Sequence, residues 1–196
     1  MMVNSSALGS AIFLVVAMSL AGVAHLAWLR SRWSKQFGQP LDAGLTFRGR
    51  RVFGANKMLR GLLVMPLAAA LSFPALGSLR ERLPGWLGGD IWDLTAGDYA
   101  LLGFACGLAF MLAELPNSFL KRQLDVPPGE APRQKWLKSV CFVLDRCDSV
   151  LGVMAVVAMT LPVPAQTWLW VFILGPASHA LFSTLLHGIG EKARPL

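Results

Sequence analysis

Residues 7–29 read ALGSAIFLVVAMSLAGVAHLAWL and contain no charged side chain. About 20 apolar residues in a helix cross the hydrocarbon core of a bilayer, so this stretch predicts a transmembrane helix. Four more apolar segments follow, at residues 59–79, 99–115, 138–162 and 167–187. Because a spanning segment must satisfy its own backbone hydrogen bonds, we expect all five to be helical. We therefore predict an all-α integral membrane protein with five transmembrane helices.

The composition supports this fold class. Hydrophobic residues make up 55% of the 196 residues and charged residues only 15%, whereas a soluble domain carries about 25% charged residues. Such hydrophobicity excludes a disordered chain. Cys106, Cys141 and Cys147 form no Cys-x-x-Cys pair and lie in or near apolar segments, which excludes a disulfide-stapled secreted domain. We expect a single transmembrane domain over residues 1–196.

The basic residues predict the orientation of the helices. Eight of the 18 Lys and Arg residues lie in residues 30–60 and six in residues 116–148, whereas residues 80–98 hold two against four acids. By the positive-inside rule the first two regions are cytoplasmic, and we expect their connections, residues 30–60 and 116–140, to contribute to an active site.

The same rule places the C-terminal tail, with Lys192 and Arg194, inside the cell and the N-terminus outside, in a cell (inner) membrane. The net charge of +7 follows from this orientation and from attraction to anionic membrane lipids. We therefore expect no nucleic-acid partner.

Three acidic residues are predicted to lie inside the membrane, where a charged side chain costs about 2.5–3.5 kcal/mol. Glu114 lies near the cytoplasmic end of the third predicted span, and Asp145 and Asp148 lie near the same end of the fourth. The two aspartates share a helix face, because they are three residues apart. Carboxylates from two helices at one depth suit a hard divalent cation, so we predict Mg²⁺ ligands at Asp145, Asp148 and Glu114.

Basic and polar residues flank this predicted metal site. They are Asn56, Lys57 and Arg60 before the second span, Asn117, Ser118, Lys121 and Arg122 at the end of the third, and Arg146 beside the aspartates. Arg and Lys at this height can bind phosphate groups, and a metal with phosphate-binding cations serves phosphoryl or nucleotidyl transfer. Taken singly, each basic pair also fits a topology signal, and the aspartate segment also fits a salt bridge between helices.

The order of the motifs points to a family. ELPNSFLKR at residues 114–122 is followed by PPG at 127–129, NKMLRG stands at 56–61, and DRCD stands at 145–148. Over roughly residues 45–190 this pattern resembles the CDP-archaeol synthase family, with its Asn-Lys-Thr-Trp-Arg-Gly and Asp-x-x-Asp motifs. It is more distantly similar to the phosphatidate cytidylyltransferases. Met58 and Leu59 stand where the archaeal-lipid family has Thr and Trp.

The resemblance implies a membrane cytidylyltransferase that transfers CMP from CTP to a lipid phosphomonoester, giving a CDP-lipid and pyrophosphate. The implied acceptor is an isoprenoid ether glycerol phosphate or a related lipid. The implied cofactor is Mg²⁺, and the implied partners are CTP, the lipid phosphate and membrane lipids; the sequence leaves monomer and homodimer open. The expected catalytic residues are Lys121, Arg122, Asp145 and Asp148. The expected substrate-binding residues are Asn56, Lys57, Arg60, Asn117, Ser118 and Arg146.

Two other functional classes stay open. An ion-coupled secondary transporter would use Glu114, Asp145 and Asp148 as an ion site, would depend on Na⁺ or H⁺ and would not bind CTP. The lack of internal repeats and the basic rim argue against it. An inactive membrane scaffold would explain the fold but leaves several costly intramembrane acids without a purpose.

Overall fold

The computed structural model describes residues 7–130 and 132–188, and the side chains of these residues except 179 and 182–188. Five long helices make up most of the described chain. The long helices are α1 (Leu8–Arg30), α3 (Leu59–Gly77), α5 (Ala96–Gln123), α6 (Lys135–Thr160) and α7 (Ala165–Gly188). Between α1 and α3 lie the short helix α2 (Arg32–Gln36) and a hairpin of β1 (Thr46–Phe47) and β2 (Arg50–Arg51). A 3-10 turn (Arg80–Arg82) and α4 (Gly85–Gly88) lie between α3 and α5.

Three helical segments of the described chain are long and apolar enough to cross a membrane. They are Leu8–Arg30, Leu59–Arg82 and Ala96–Gln123, with mean hydropathies of 2.2, 1.9 and 1.6. These segments support an integral membrane protein, as the sequence predicted. The helices α6 and α7 have 26 and 24 residues, but the number of spans stays a prediction. So does the orientation of the termini, because the C-terminal tail with Lys192 and Arg194 lies outside the described residues.

The long helices pack in a ring. In this ring α1 contacts α3 and α7, α5 contacts α3 and α6, and α6 contacts α7. Large apolar side chains fill the interior, and Leu14, Phe73 and Met154 are each at most 1% exposed. The ring of Phe13 packs edge-on against Phe73 at 5.5 Å between centroids. Burial of Phe13, Leu14 and Phe73 stabilises the contact between the N-terminal half of α1 and α3.

Glycines bring α3, α5 and α6 into close contact. A Cβ atom at Gly107 of α5 would lie 2.7 Å from the Cα of Pro66 in α3, and one at Gly152 of α6 would lie 2.6 Å from the carbonyl oxygen of Ala109 in α5. Small residues at helix contacts of this kind let backbones approach within membranes, where association depends on packing. The close fit fixes the rotation of α5 against both neighbours.

Two hydrogen bonds show that α1 and α3 run antiparallel. The Ser72 hydroxyl, late in α3, donates to the carbonyl oxygen of Ala17 in α1 at 2.9 Å. The Arg60 guanidinium, at the start of α3, donates to that of Ser34 in α2, just after α1, at 2.9 Å. The connection between these helices therefore lies at the bundle end where α5 ends and α6 begins. There Arg50 donates to the carbonyl oxygen of Gln123 at 2.8 Å.

Asp42 organises this connection. Its carboxylate is 2% exposed and accepts hydrogen bonds from the Arg51 guanidinium and from the backbone N–H groups of Gly44, Phe53 and Gly54. The Arg51 guanidinium, helped by these N–H groups, holds the pKa of the Asp42 carboxyl well below its usual range. The chain that leads into α3 is thus fixed by one buried carboxylate.

We predict that Gly107→Ala lowers the free energy of unfolding by about 1–3 kcal/mol, because the added methyl group overpacks the contact between α3 and α5. Gly97→Ala is the matched control in the same helix, since a Cβ there meets only the Thr95 hydroxyl at 3.7 Å. Thermal unfolding in detergent measures both variants. Equal midpoints for the two variants would contradict the close-packing account.

We predict that Asp42→Asn destabilises the connection at neutral pH, as measured by limited proteolysis of residues 37–58. The low folded-state pKa means that ionised Asp42 stabilises the protein above its unfolded pKa of about 3.9, and that this contribution is lost as the pH falls below that value. The difference between wild type and variant should therefore shrink below about pH 4. Asp125→Asn, which alters an exposed ion pair with Arg50, serves as the control. A difference that stays constant down to pH 3 would argue against this role.

Candidate active site

A polar pocket lies at the bundle end that carries the basic connections. It has a volume of about 210 Å³ and is lined by Lys57, Glu114, Asn117, Ser118, Asp145 and Asp148. These six residues, called the polar pocket below, come from α5, α6 and the segment that precedes α3. All six are residues that the sequence predicted for metal or substrate.

The spacing of the residues along each helix explains why they meet. Glu114 and Asn117 are three residues apart in α5, and Asp145 and Asp148 are three apart in α6, so each pair lies on one helix face. The close contact at Gly152 turns these two faces toward each other. Local periodicity and interhelical packing together therefore build the pocket.

One amide joins the two aspartates. Nδ2 of Asn117 donates to Oδ1 of Asp145 at 2.6 Å and to Oδ2 of Asp148 at 3.1 Å. Asn117 is 7% exposed, so this bridge is shielded from solvent. A nitrogen that bonds both carboxylates shows that their oxygens converge on one small volume.

Two lysines balance the carboxylates. The Lys57 ammonium pairs with Glu114, and the Lys121 ammonium pairs with Asp145. Glu114 also accepts a hydrogen bond of 3.0 Å from the Ser149 hydroxyl. Three carboxylates thus face two ammonium groups, which leaves one excess negative charge.

The pocket fits a hard divalent cation by the chemistry of its donors. Its donor atoms are carboxylate, amide and hydroxyl oxygens, and Mg²⁺ is usually held by one or two carboxylates together with water and phosphate oxygens. In the described part of the chain, no three His, Cys, Asp or Glu residues are grouped as a ready-made metal cluster. Asp145 and Asp148 are the pair that would hold the ion, whereas Glu114 is bonded to Lys57 and Ser149.

Five of the predicted residues do not line the polar pocket, although one of them, Lys121, pairs with Asp145 of the pocket. Arg60 donates to the carbonyl and hydroxyl oxygens of Ser34. Arg146 folds back along α6, with its guanidinium 3.5 Å from the centroid of the Phe142 ring. The exposed Asn56 lies in the loop before α3, and the half-buried Arg122 lies in the last turn of α5. The substrate-binding roles of Asn56, Arg60 and Arg146 stay predictions. So do the catalytic roles of Lys121 and Arg122.

Arg122 packs behind the segment that carries Lys57. Its guanidinium would lie 3.4 Å from a Cβ at Gly54, and Gly54 has a φ of +89°, which favours glycine. Within the described residues, Nε and Nη1 of Arg122 are buried without a hydrogen-bond partner. A buried guanidinium with free donors is a candidate partner for an anion.

Sequence reasoning missed two residues that position the site. Ser149 bonds Glu114, and its place four residues after Asp145 on the same helix face was a signal that could have found it. Asp42 fixes the segment before Lys57 through contacts 9–12 residues away in sequence. No helical spacing marks Asp42, because its partners lie in strand β2 and in the turns on either side of the hairpin.

Comparisons with known proteins identify relatives of this chain. The CarS-like CDP-archaeol synthase family model matches residues 33–193. The CDP-archaeol synthase of Halobacterium salinarum is 27% identical over 164 residues, covering 81% of this chain and 83% of the relative. That of Methanoculleus marisnigri is 28% identical over 176 residues, covering 81% and 90%. That of Pyrococcus furiosus is 36% identical over 99 residues, covering 47% and 50%.

One solved structure shares the fold. It is described as an intramembrane enzyme for archaeal membrane lipids biosynthesis, and it matches with a TM-score of 0.59 and 22% identity over 91% of this chain and 92% of the other. The family match covers far more than half of the chain, including every residue of the polar pocket. The chain therefore belongs to the CDP-archaeol synthase family and is a CTP-dependent nucleotidyltransferase.

Proposed function

We propose that this protein is a membrane cytidylyltransferase that transfers CMP from CTP to a lipid phosphomonoester of the isoprenoid ether glycerol phosphate class. The products are a CDP-activated lipid and pyrophosphate. The observation that carries this proposal is the convergence of three carboxylates and the Lys57 ammonium group in the polar pocket, with the Lys121 ammonium group paired to Asp145. Family membership supports the reaction class. The position of Glu114 in α5, a helix long and apolar enough to cross a membrane, supports a lipid acceptor.

Charge explains the need for a divalent cation. The pocket carries one excess negative charge, and CTP brings several more, so the residues alone would repel the nucleotide. Asp145 and Asp148 would hold Mg²⁺, with Glu114 orienting Lys57 and Ser149 beside them. When bound, Mg²⁺ supplies charge neutralisation and polarisation of phosphoryl oxygens.

The basic residues bind and orient the triphosphate. Lys121 exchanges its partner Asp145 for a phosphate oxygen once the nucleotide binds, and Arg122 offers its unpaired donors to the same chain of phosphates. Asn117 and Ser118 orient phosphate oxygens from the floor of the pocket. Lys57, which pairs with Glu114, meets the acceptor phosphate.

The reaction is an in-line displacement. An oxygen of the lipid phosphate attacks the α-phosphorus of CTP, and a new P–O bond forms as the bond between the α-phosphorus and the bridging oxygen breaks. Lys121 and Arg122 stabilise the negative charge on the departing pyrophosphate. The pocket end carries the basic connections, so we propose that it faces the cytoplasm, where CTP is found.

The direct test is pyrophosphate release by the detergent-purified protein with Mg²⁺, each of the four ribonucleoside triphosphates, and a panel of lipid phosphates. The panel contains a diacyl and an isoprenoid ether glycerol phosphate. We expect release only with CTP and the ether lipid. Release with the diacyl lipid alone would correct the acceptor, and no release combined with no CTP binding would refute the proposal.

We predict that Asp148→Asn lowers kcat by about 10²-fold or more, because loss of one carboxylate weakens the hold on the metal and its phosphate ligands. The thermal midpoint without ligand should stay near that of wild type. Asp93→Asn is the matched control, since Asp93 is 85% exposed and pairs with Arg80 at the other end of the bundle. Near-normal turnover of Asp148→Asn would remove the metal assignment.

We predict that Lys121→Gln lowers kcat/KM for CTP by about 10²-fold, because a cation on the leaving group is lost. Lys138→Gln, at the exposed start of α6, should leave kcat/KM unchanged. Initial rates at varied CTP concentration distinguish the two variants. Equal kcat/KM values for both would show that Lys121 serves only to neutralise Asp145.

A further inference from the structure

An apolar cavity adjoins the polar pocket. It has a volume of about 320 Å³ and lies among α1, α3, α5, α6 and α7. Its walls include Leu14, Met18, Leu26, Met65, Val153 and Val171. Asp145 lines both the cavity and the polar pocket, and Ser149 lines the cavity while bonding Glu114. The apolar cavity therefore borders the polar pocket at Asp145.

Helix α1 forms one wall of this cavity. Leu14, Met18, Gly22 and Leu26 recur every four residues along α1 and place a continuous strip of apolar surface against the space. The match to the family model begins at residue 33, after α1 ends. The contribution of α1 is therefore visible only in the tertiary structure.

His25 lies at the polar end of this wall. In the described part of the structure its Nε2 atom is buried and has no hydrogen-bond partner, and it would lie 3.5 Å from a Cβ at Gly61. Glu114 and Arg60 are within electrostatic range of the ring. A buried ring nitrogen without a partner is costly, so it marks a place for a polar group of a ligand.

Gly22 lies one turn of helix away from His25 and widens the cavity. A Cβ at Gly22 would meet no atom within 4 Å, so the helix accepts a larger side chain there without a clash. Because Gly22 lines the cavity, such a side chain would take up part of its volume. The position is therefore suited to test what the cavity holds.

We propose that α1 selects the lipid acceptor. The apolar cavity holds a hydrocarbon chain of the lipid phosphate, and Nε2 of His25 hydrogen-bonds an oxygen of the glycerol part next to the phosphate. This inference rests on the proposed function, and it deepens it by assigning the lipid-recognising wall. The juxtaposition suits an amphiphile, whose phosphate belongs in the polar pocket and whose chain belongs in the apolar cavity.

The first test alters the cavity volume. Gly22→Phe should lower the ratio of kcat/KM for a long-chain over a short-chain glycerol phosphate ether by about ten-fold or more, because the ring competes with the longer chain. CTP affinity, measured by calorimetry, should not change. Leu20→Phe is the matched control, since Leu20 is 47% exposed on the outer face of α1. An unchanged ratio for Gly22→Phe would overturn the proposal.

The second test replaces His25 by an apolar side chain of similar size, which removes the ring nitrogen. His25→Leu should raise KM for the lipid phosphate about ten-fold with little change in kcat, and His25→Gln should restore part of the loss. A merely structural role would instead lower the thermal midpoint and affect CTP binding equally.

If wild type turns over no lipid with CTP, the proposed function itself fails. If wild type is active and both variants keep its KM and chain preference, only the role of α1 is refuted.

Discussion

Three carboxylates that converge at one end of the helix bundle constrain the rest of this structure. A charge shielded from water is tolerated only when it is paired and hydrogen-bonded. The Asn117 amide, Lys57 and Lys121 supply this pairing for Glu114, Asp145 and Asp148. Helices α5 and α6 must therefore present these faces to each other, and small residues at their contact allow it. The same arrangement leaves a net negative site that suits a divalent cation with phosphate ligands.

The connection between α1 and α3 works as a part of the site, although it lies outside the helices. Its fold depends on Asp42, which gathers Arg51 and three backbone N–H groups around one buried carboxylate. This cluster sets the position of Gly54, and three residues later Lys57 reaches Glu114. An unpaired buried carboxylate would be costly, so the loop has one strongly preferred conformation. A fixed loop of this kind lets a surface segment hold a lysine ammonium group beside the carboxylates of the helices.

Much of the site followed from local spacing, and the remainder did not. The three-residue spacing of Asp145 and Asp148 predicts a shared face in any helix, which is why the polar pocket contains the predicted acids. Arg60 and Arg146 have equally suggestive positions in sequence, yet one binds Ser34 and the other stacks on Phe142. Long flexible side chains choose among several partners, and the choice depends on which elements lie within reach.

The sequence by itself determined the apolar segments, the helical class and the family, because hydrophobic length and motif order are properties of contiguous residues. Only the tertiary structure decided that α1 lines the cavity beside the polar pocket, that Asp42 clamps the preceding loop, and that His25 faces the same space. These features join residues from distant segments. They arise from the way in which the helices pack around glycines and small residues, and side-chain spacing within one helix does not encode that packing.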